Sequence, residues 1–238
     1  MNEVDAVLVE GQGQKRTLVS AAYERVRRDI VRGVLKPGER LRFTHLADAY
    51  GFSASTLREA LSRLVGDGLA NFEDQRGFSV TMVSRDHLTD LLQMRQLLEE
   101  KGIRLAVERG GVDWEVGVMS AFHRLSKARR PGDADPRLVS DEWEHHHNEF
   151  HRSLLAACGS PLLLQFRDTL YLQGDRYRRL YHSYAAKERD HLGEHRLLME
   201  AALRRDADEV SRLIREHLET TVRDVLASNF VKSTEAPN

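Results

Sequence analysis

The chain of 238 residues has a single cysteine, five prolines and no long apolar run. One cysteine, Cys158, excludes an internal disulfide framework and a cysteine-based zinc finger, and it suits a reducing compartment. The longest apolar runs, LLAAC and PLLL, fall far short of the roughly 20 residues that cross a bilayer as a helix. The opening MNEVDAVLVEGQGQ carries acids where an export signal needs bases, and it reaches no long apolar stretch. The expectation is a cytoplasmic protein that neither leaves the cell nor spans a membrane. An excess of charge is also missing: 36 Lys and Arg against 37 Asp and Glu leave a net charge of -1, so attraction to nucleic acid or anionic lipid must come from local charge.

What is present is 41% apolar and 31% charged content, enough for a substantial core in one large domain or two modest ones. Residues 1–14 have no amphipathic period and read as a flexible arm. From Thr17, Leu18, Ala22, Val26, Ile30 and Val31 recur at helical spacing until the turn Leu35-Lys36-Pro37-Gly38. Two short helical stretches follow, Thr44 to Tyr50 and Ser55 to Gly66, separated by Gly51-Phe52-Ser53, which is the spacing of a helix-turn-helix. Segments at Leu69–Glu73 and Phe78–Met82 then alternate like strands around Asp74-Gln75-Arg76-Gly77, predicting a two-stranded wing. Beyond Ser84 the pattern changes to six long amphipathic helices, at about 86–109, 112–129, 138–157, 160–182, 186–205 and 207–229, with Ser84 and Ser160 as N-caps. The predicted fold is therefore mainly α: a winged helix-turn-helix at 15–83, an all-α antiparallel helical bundle at 84–230, and a tail at 231–238.

Residues 15–83 hold twelve Lys or Arg against eight Asp or Glu, so the base-rich part is the helix-turn-helix part. In such a unit the second helix enters the major groove with its N-terminal residues at base edges. Here that helix opens Ser53-Ala54-Ser55-Thr56-Leu57-Arg58; Leu57, Ala60, Leu61 and Leu64 form its buried stripe and leave Ser55, Thr56, Arg58, Ser62 and Arg63 outward or flanking. Arg76-Gly77 at the wing tip can reach a minor groove, whose negative potential suits arginine. The plainer alternative is that Ser53 merely caps the helix and Arg58 pairs with Glu59 or Asp67.

Eight of the eleven histidines lie between 145 and 217. His147 and His151 stand at i and i+4 on the third bundle helix, so both rings can address one point. His151 shares its face with Leu154 and Leu155, His195 with Leu192, Leu198, Met199 and Ala202, and His217 with Leu213 and Ile214, which turns them inward. One buried imidazole is satisfied by a hydrogen bond or two; four inward histidines on three helices point to metal ligation.

Several of these runs resemble known families. Ala22-Tyr23-Glu24-Arg25-Val26-Arg27-Arg28-Asp29-Ile30-Val31, Leu35-Lys36-Pro37-Gly38-Glu39-Arg40-Leu41, Leu57-Arg58-Glu59-Ala60-Leu61-Ser62-Arg63-Leu64 and Arg76-Gly77-Phe78-Ser79-Val80 resemble the winged-helix domain of the GntR family of bacterial transcription regulators. The resemblance implies DNA contacts from Ser55, Thr56 and Arg58, with Thr44 at the preceding helix start and Arg76 and Gly77 in the wing. Ala54 and Thr56 stand where an arginine and a proline are common, which bears on base preference rather than on binding. The fragments Asn148-Glu149-Phe150-His151, Glu194-His195, Glu216-His217-Leu218 and Arg95-x-x-Leu98-Glu99 resemble the FCD effector domain of the FadR subgroup. By that resemblance His151, His195 and His217 occupy three metal-ligand places, and His147 stands where aspartate is usual. The implied cofactor is a divalent metal ion, with zinc or nickel favoured over manganese or magnesium by the imidazole set. The runs from Asp141-Glu142-Trp143 to His151 and Arg176-Tyr177-Arg178 resemble a glutarate-responsive, carbon-starvation branch of the subgroup, implying a small dicarboxylate effector. Arg95 is then the candidate carboxylate clamp and Arg176 a second one, although Arg95 and Glu99 are also spaced for an ion pair.

The expected function is a ligand-responsive regulator, a repressor, binding double-stranded DNA as a homodimer on a pseudo-palindromic operator, because one recognition helix makes too few base contacts for genomic specificity. An alternative is a repressor whose signal is the metal ion itself. A metal-dependent hydrolase is the weakest reading: a zinc protease helix needs H-E-x-x-H, but Asn148 follows His147, and no P-C-x-x-C accompanies the single cysteine as a zinc deaminase requires.

Overall fold

A computed structural model describes residues 17–128, 141–181 and 189–228, so the arm at 1–14 and the tail at 231–238 lie outside the described residues. The N-terminal part holds α1 (Leu18–Val31), α2 (Phe43–Tyr50), α3 (Ala54–Gly66), β1 (Ala70–Glu73) and β2 (Gly77–Val80). Local chemistry sets these limits. Thr17 caps α1 by accepting from the Ser20 amide, Ser53 caps α3 by accepting from the Thr56 amide, and Gly51, left-handed at φ 74°, closes α2. The strands pair antiparallel from Ala70 opposite Val80 to Glu73 opposite Gly77, forming the expected wing. The α3 stripe of Leu57, Ala60, Leu61 and Leu64 is fully buried, against Val26 and Ile30 of α1 and Leu46 of α2 among others.

The remainder is helical: α4 (Arg85–Arg109), α5 (Val112–Lys127), α6 (Asp141–Leu154), α7 (Pro161–Leu180), α8 (His191–Leu203) and α9 (Ala207–Ala227). Ser84 and Ser160 cap α4 and α7 as expected, accepting from the amides of His87 and Leu163. α6 stops at Leu154 rather than near 157, because the chain tightens into a turn in which the Cys158 amide donates to the Leu155 carbonyl at 2.9 Å before Pro161 opens α7. α4 packs against α7 and α9, and α5 against α6 and α8, around a core that includes Ile103, Val118, Phe150, Leu154, Leu198 and Ile214.

The two parts meet along α7. Leu172 packs onto the apolar core of the winged helix, Gln173 donates to the Asp67 carbonyl at 2.9 Å, and Arg176 donates to the Thr81 carbonyl. Gly33 and Gly68 sit where α7 comes closest, at φ 73° and 72°; a methyl on either would lie 2.6 Å from Leu180 Cδ2 or 2.5 Å from Gln173 Nε2. Only glycine supplies both the left-handed backbone and the clearance there.

Candidate functional site

α6 supplies His147 and His151 one turn apart, α8 supplies His195 and α9 supplies His217, and all four rings are buried. They meet. His151 Nε2 lies 3.2 Å from both His147 Nε2 and His195 Nε2, and one donor atom from each of the four rings falls within 4.8 Å of the others. Two nitrogens on neighbouring positions of one ion at about 2.0–2.1 Å stand roughly 3–3.3 Å apart, a separation that the two 3.2 Å pairs match.

The opposite ring nitrogens explain why the Nε2 atoms face inward. His147 Nδ1 donates to the Tyr171 hydroxyl at 2.5 Å, and that hydroxyl donates to Glu144 at 3.0 Å. His195 Nδ1 donates to the His191 carbonyl at 2.5 Å. His217 Nδ1 donates to Glu194 at 2.7 Å, and Arg189 grips the same carboxylate through two nitrogens, each at 2.7 Å. His151 Nδ1 faces Glu99 Oε2 at 3.9 Å. In His147, His195 and His217, with Nδ1 occupied, the lone pair of a neutral imidazole is left on Nε2, and such outer hydrogen bonds fix the tautomer and orientation of ligating histidines; His151 Nδ1 makes no such bond. Burial pushes His147, His151 and His195 well below the usual imidazole range and His217 down to about 3, so all four are neutral, the ligating form, at ordinary pH.

Around the histidines lies a shell of buried charge. Burial raises the Glu144 carboxyl, but the charge of Arg178, at 3.2 Å, the contact with His147 and the charge of Arg179 together outweigh it and hold Glu144 well below the usual range. Arg95, Arg167 and Arg178 all stack on the Tyr171 ring, with guanidinium carbons 5.4, 4.4 and 4.8 Å from its centre. Arg95 is spent largely on Glu99, donating at 2.8 and 2.6 Å, so the alternative ion-pair reading of that residue describes its contacts in this structure. It nonetheless lines a cavity of about 10 Å³ beside His147 and His217, together with Arg178 and Thr221. Arg176 is placed elsewhere. Its guanidinium donates to the Thr81 carbonyl at the junction with the wing, so the arginine that α7 turns toward the histidines is Arg178, two residues on; a helix rotates about 200° over that step.

At the other end of the molecule, Thr44, Ser55, Arg58 and Arg76 are exposed and Thr56 is half-buried. Ser53 Oγ hydrogen-bonds the hydroxyls of Ser55 and Thr56 at 3.0 and 2.9 Å while capping α3, so capping and presentation of hydroxyls go together. Arg58 lies over the Phe43 ring at 5.0 Å rather than pairing with Glu59 or Asp67. Arg76 pairs with Glu73 at 3.1 Å, and Gly77, at φ 76°, has open space around it at the wing tip.

Tyr171, Glu144, Arg178 and Arg189 carry no mark in the spacing pattern of the sequence. Glu194 does: it directly precedes His195, in the fragment that suggested the domain.

A winged helix-turn-helix joined to a helical bundle is the build of a DNA-binding regulator. Residues 18–80 match the bacterial regulatory proteins of the gntR family, and residues 90–220 match the FCD domain. The chain is 40% identical over 207 residues to the HTH-type transcriptional regulator BphR of Paraburkholderia xenovorans, covering 87% of this chain and 84% of that one. It is 37% identical over 205 residues to the HTH-type transcriptional repressor GlaR of Escherichia coli, covering 84% of this chain and 92% of that one. Among solved structures, that of McbR/YncC from E. coli has the same fold, with a TM-score of 0.72 at 22% identity over 88% of this chain and 97% of that one. The chain belongs to the GntR family, in the subgroup with an FCD domain, and is a transcription regulator rather than an enzyme. Among the described residues no helix is long and apolar enough to cross a membrane.

Proposed function

We propose that the chain is a cytoplasmic, homodimeric repressor whose DNA-binding unit spans 15–83 and whose unit at 84–230 holds a divalent metal ion, senses a small dicarboxylate and mediates dimerisation. The observation that carries this reading is the set of four buried, neutral imidazoles whose ring nitrogens converge, three of them with Nδ1 held from outside. His147, His151, His195 and His217 would hold the ion, and an all-imidazole set favours zinc or nickel over manganese or magnesium. An ion that takes five or six ligands would keep a coordination position for a carboxylate beside the four rings. Arg95 and Arg178 present guanidinium groups beside the same histidines for the other end of a diacid. Thr44, Ser55, Thr56 and Arg58, with Arg76 and Gly77 of the wing, meet DNA, and two copies of α3 read the half-sites of a pseudo-palindromic operator. The names of the relatives support repression, since GlaR is a repressor.

A second reading, in which the ion itself is the signal, is favoured by one observation: the cavity of about 10 Å³ beside the histidines has room for about one water and not for a diacid without movement of its walls. Elemental analysis, thermal shift and an operator-release titration separate the two. Purified protein is expected to carry about one equivalent of zinc or nickel, lost in His195→Ala, and metal-loaded protein is expected to melt higher with glutarate, since a ligand that binds only folded protein raises its melting point. Metal-saturated protein that ignores every diacid and leaves DNA only on chelation would establish the ion as the signal. Unchanged metal content in His195→Ala would refute the four-histidine site.

A further inference from the structure

α7 is one rod with two neighbourhoods. Tyr171 and Arg178, seven residues apart, stand beside the histidines, while Leu172, Gln173 and Arg176 face the DNA-binding unit. A continuous series of polar contacts joins the two sides. From His147 it runs through Tyr171 to Glu144, which accepts from Arg178 at 3.2 and 3.4 Å. Arg178 meets Asp175 at 3.5 Å, Asp175 accepts from Arg179 at 3.0 and 3.1 Å, and Arg179 donates to Asp141 at 2.9 Å. Asp141 closes the series by accepting from two nitrogens of Arg32, just past the end of α1 in the DNA-binding unit; the contact from Arg32 Nε measures 3.3 Å. Every step is a hydrogen bond or an ion pair within 3.5 Å.

Two features give the series a direction. Of the two arginines beside the small cavity, Arg95 holds Glu99 at 2.6 and 2.8 Å, whereas Arg178 holds Glu144 at 3.2 and 3.4 Å, long for a charge-assisted bond of about 2.7–2.9 Å. A diacid has to move the cavity wall to enter, and the longer bond is the one it replaces at least cost. Glu144 is buried, and a buried carboxylate stripped of its cation is strongly unfavourable, so it must recruit another. Arg179 is the next cation along the series, and it is shared between Asp175 and Asp141. Drawing it inward unhitches Asp141 from α7, and Asp141 is what holds Arg32.

Resting on the reading that the bundle senses a small carboxylate, we propose that the effector displaces Glu144 from Arg178, and that the exchange passes through Asp175, Arg179 and Asp141 to Arg32, changing how the DNA-binding unit is held. A ligand shifts such an equilibrium only through its different affinity for the two arrangements, and the exchange of partners at Arg178 supplies that difference.

The test uses full-length, zinc-loaded protein, a duplex selected from a randomised pool, and glutarate as the probe. DNA affinity is measured by anisotropy with and without saturating glutarate, and glutarate affinity by calorimetry. Asp141→Asn and Arg32→Gln are expected to bind glutarate like the parent while the effect of glutarate on DNA affinity falls to about a third or less of the parental ratio. Arg178→Gln is expected to weaken glutarate binding about tenfold or more with its zinc content unchanged. Parental coupling in both Asp141→Asn and Arg32→Gln, or parental glutarate affinity in Arg178→Gln, overturns the proposal and leaves the sensing function standing. Arg32 is exposed, so its substitution reports even where Asp141→Asn fails to fold. A parent chain that answers to the ion but not to glutarate overturns the exchange at Arg178; one that answers to neither overturns the sensing function as well.

Discussion

The winged helix and the helical bundle bury different things. The interior of the first, from Val26 to Val80, is apolar: isoleucine, leucine, valine, alanine and one phenylalanine pack around α3. In the second, the apolar core between α5, α6 and α8 gives way near α7 to arginines, glutamates and histidines, and among the described residues every buried polar or charged side chain lies between Arg95 and His217. Apolar burial is non-directional and tolerates many sequences, so it suits a head whose specificity lies on its surface. Buried charges cost several kcal/mol each in desolvation and must be paired, as Arg95 with Glu99 and Arg179 with Asp175 are. Such a centre contributes little net stability, which agrees with the proposal that the bundle is the ligand-binding part.

That contrast can be broken. Leu61→Ala in the head should cost about 2–5 kcal/mol, because it leaves a cavity in a fully buried apolar core, and urea unfolding would show it whether or not metal is present. The bundle should behave in the opposite way and depend on conditions. At a thousandfold excess of free zinc over its dissociation constant, metal-loaded protein should gain about 4 kcal/mol over metal-free protein, an increment that His195→Ala abolishes. A sharper version uses pH. The four rings titrate well below their unfolded value, so the metal-free fold has their full contribution above about pH 6.5 and loses it as pH falls, by about 1.4 kcal/mol per unit for each ring that is charged only when unfolded. A pH-independent metal-free stability between 6.5 and 5 would contradict the neutral, buried cluster.

Arg58→Ala should weaken specific DNA binding by about 1–3 kcal/mol and leave zinc content and glutarate affinity alone, separating surface function from core function. The smallest effect sits at the seam: Gly68→Ala, which puts a side chain on a left-handed residue against Gln173, should cost about 1 kcal/mol in denaturant unfolding and spare the metal.

The head was legible in the sequence almost to the residue. Its helix limits follow from caps such as Thr17 and Ser53 and from the left-handed Gly51, and its buried stripe follows from helical spacing, all of them local effects. The inward turn of His151, His195 and His217 was legible for the same reason, since each shares a helix face with leucine or another apolar residue, and His147 follows from standing one turn before His151. The partners of those rings were not. Tyr171 stands 24 residues from His147, and Glu144 lies 34 from Arg178, separations across which no periodicity relates one side chain to another. The choice of Arg176 as a clamp failed on this point, because the sense in which α7 faces the site depends on its packing against α4, α6 and the head.

The sequence by itself determined which segments coil, which faces are apolar and that four imidazoles point inward. Only the tertiary structure decided that their nitrogens meet within 4.8 Å, that Arg178 rather than Arg176 looks at them, and that Asp141 reaches Arg32 across the seam. The reason is physical: caps and periodicity act over a few residues along the chain, whereas a shared site requires donors on α6, α8 and α9 to be fixed in distance and rotation at once, and only the packing of whole helices sets those coordinates.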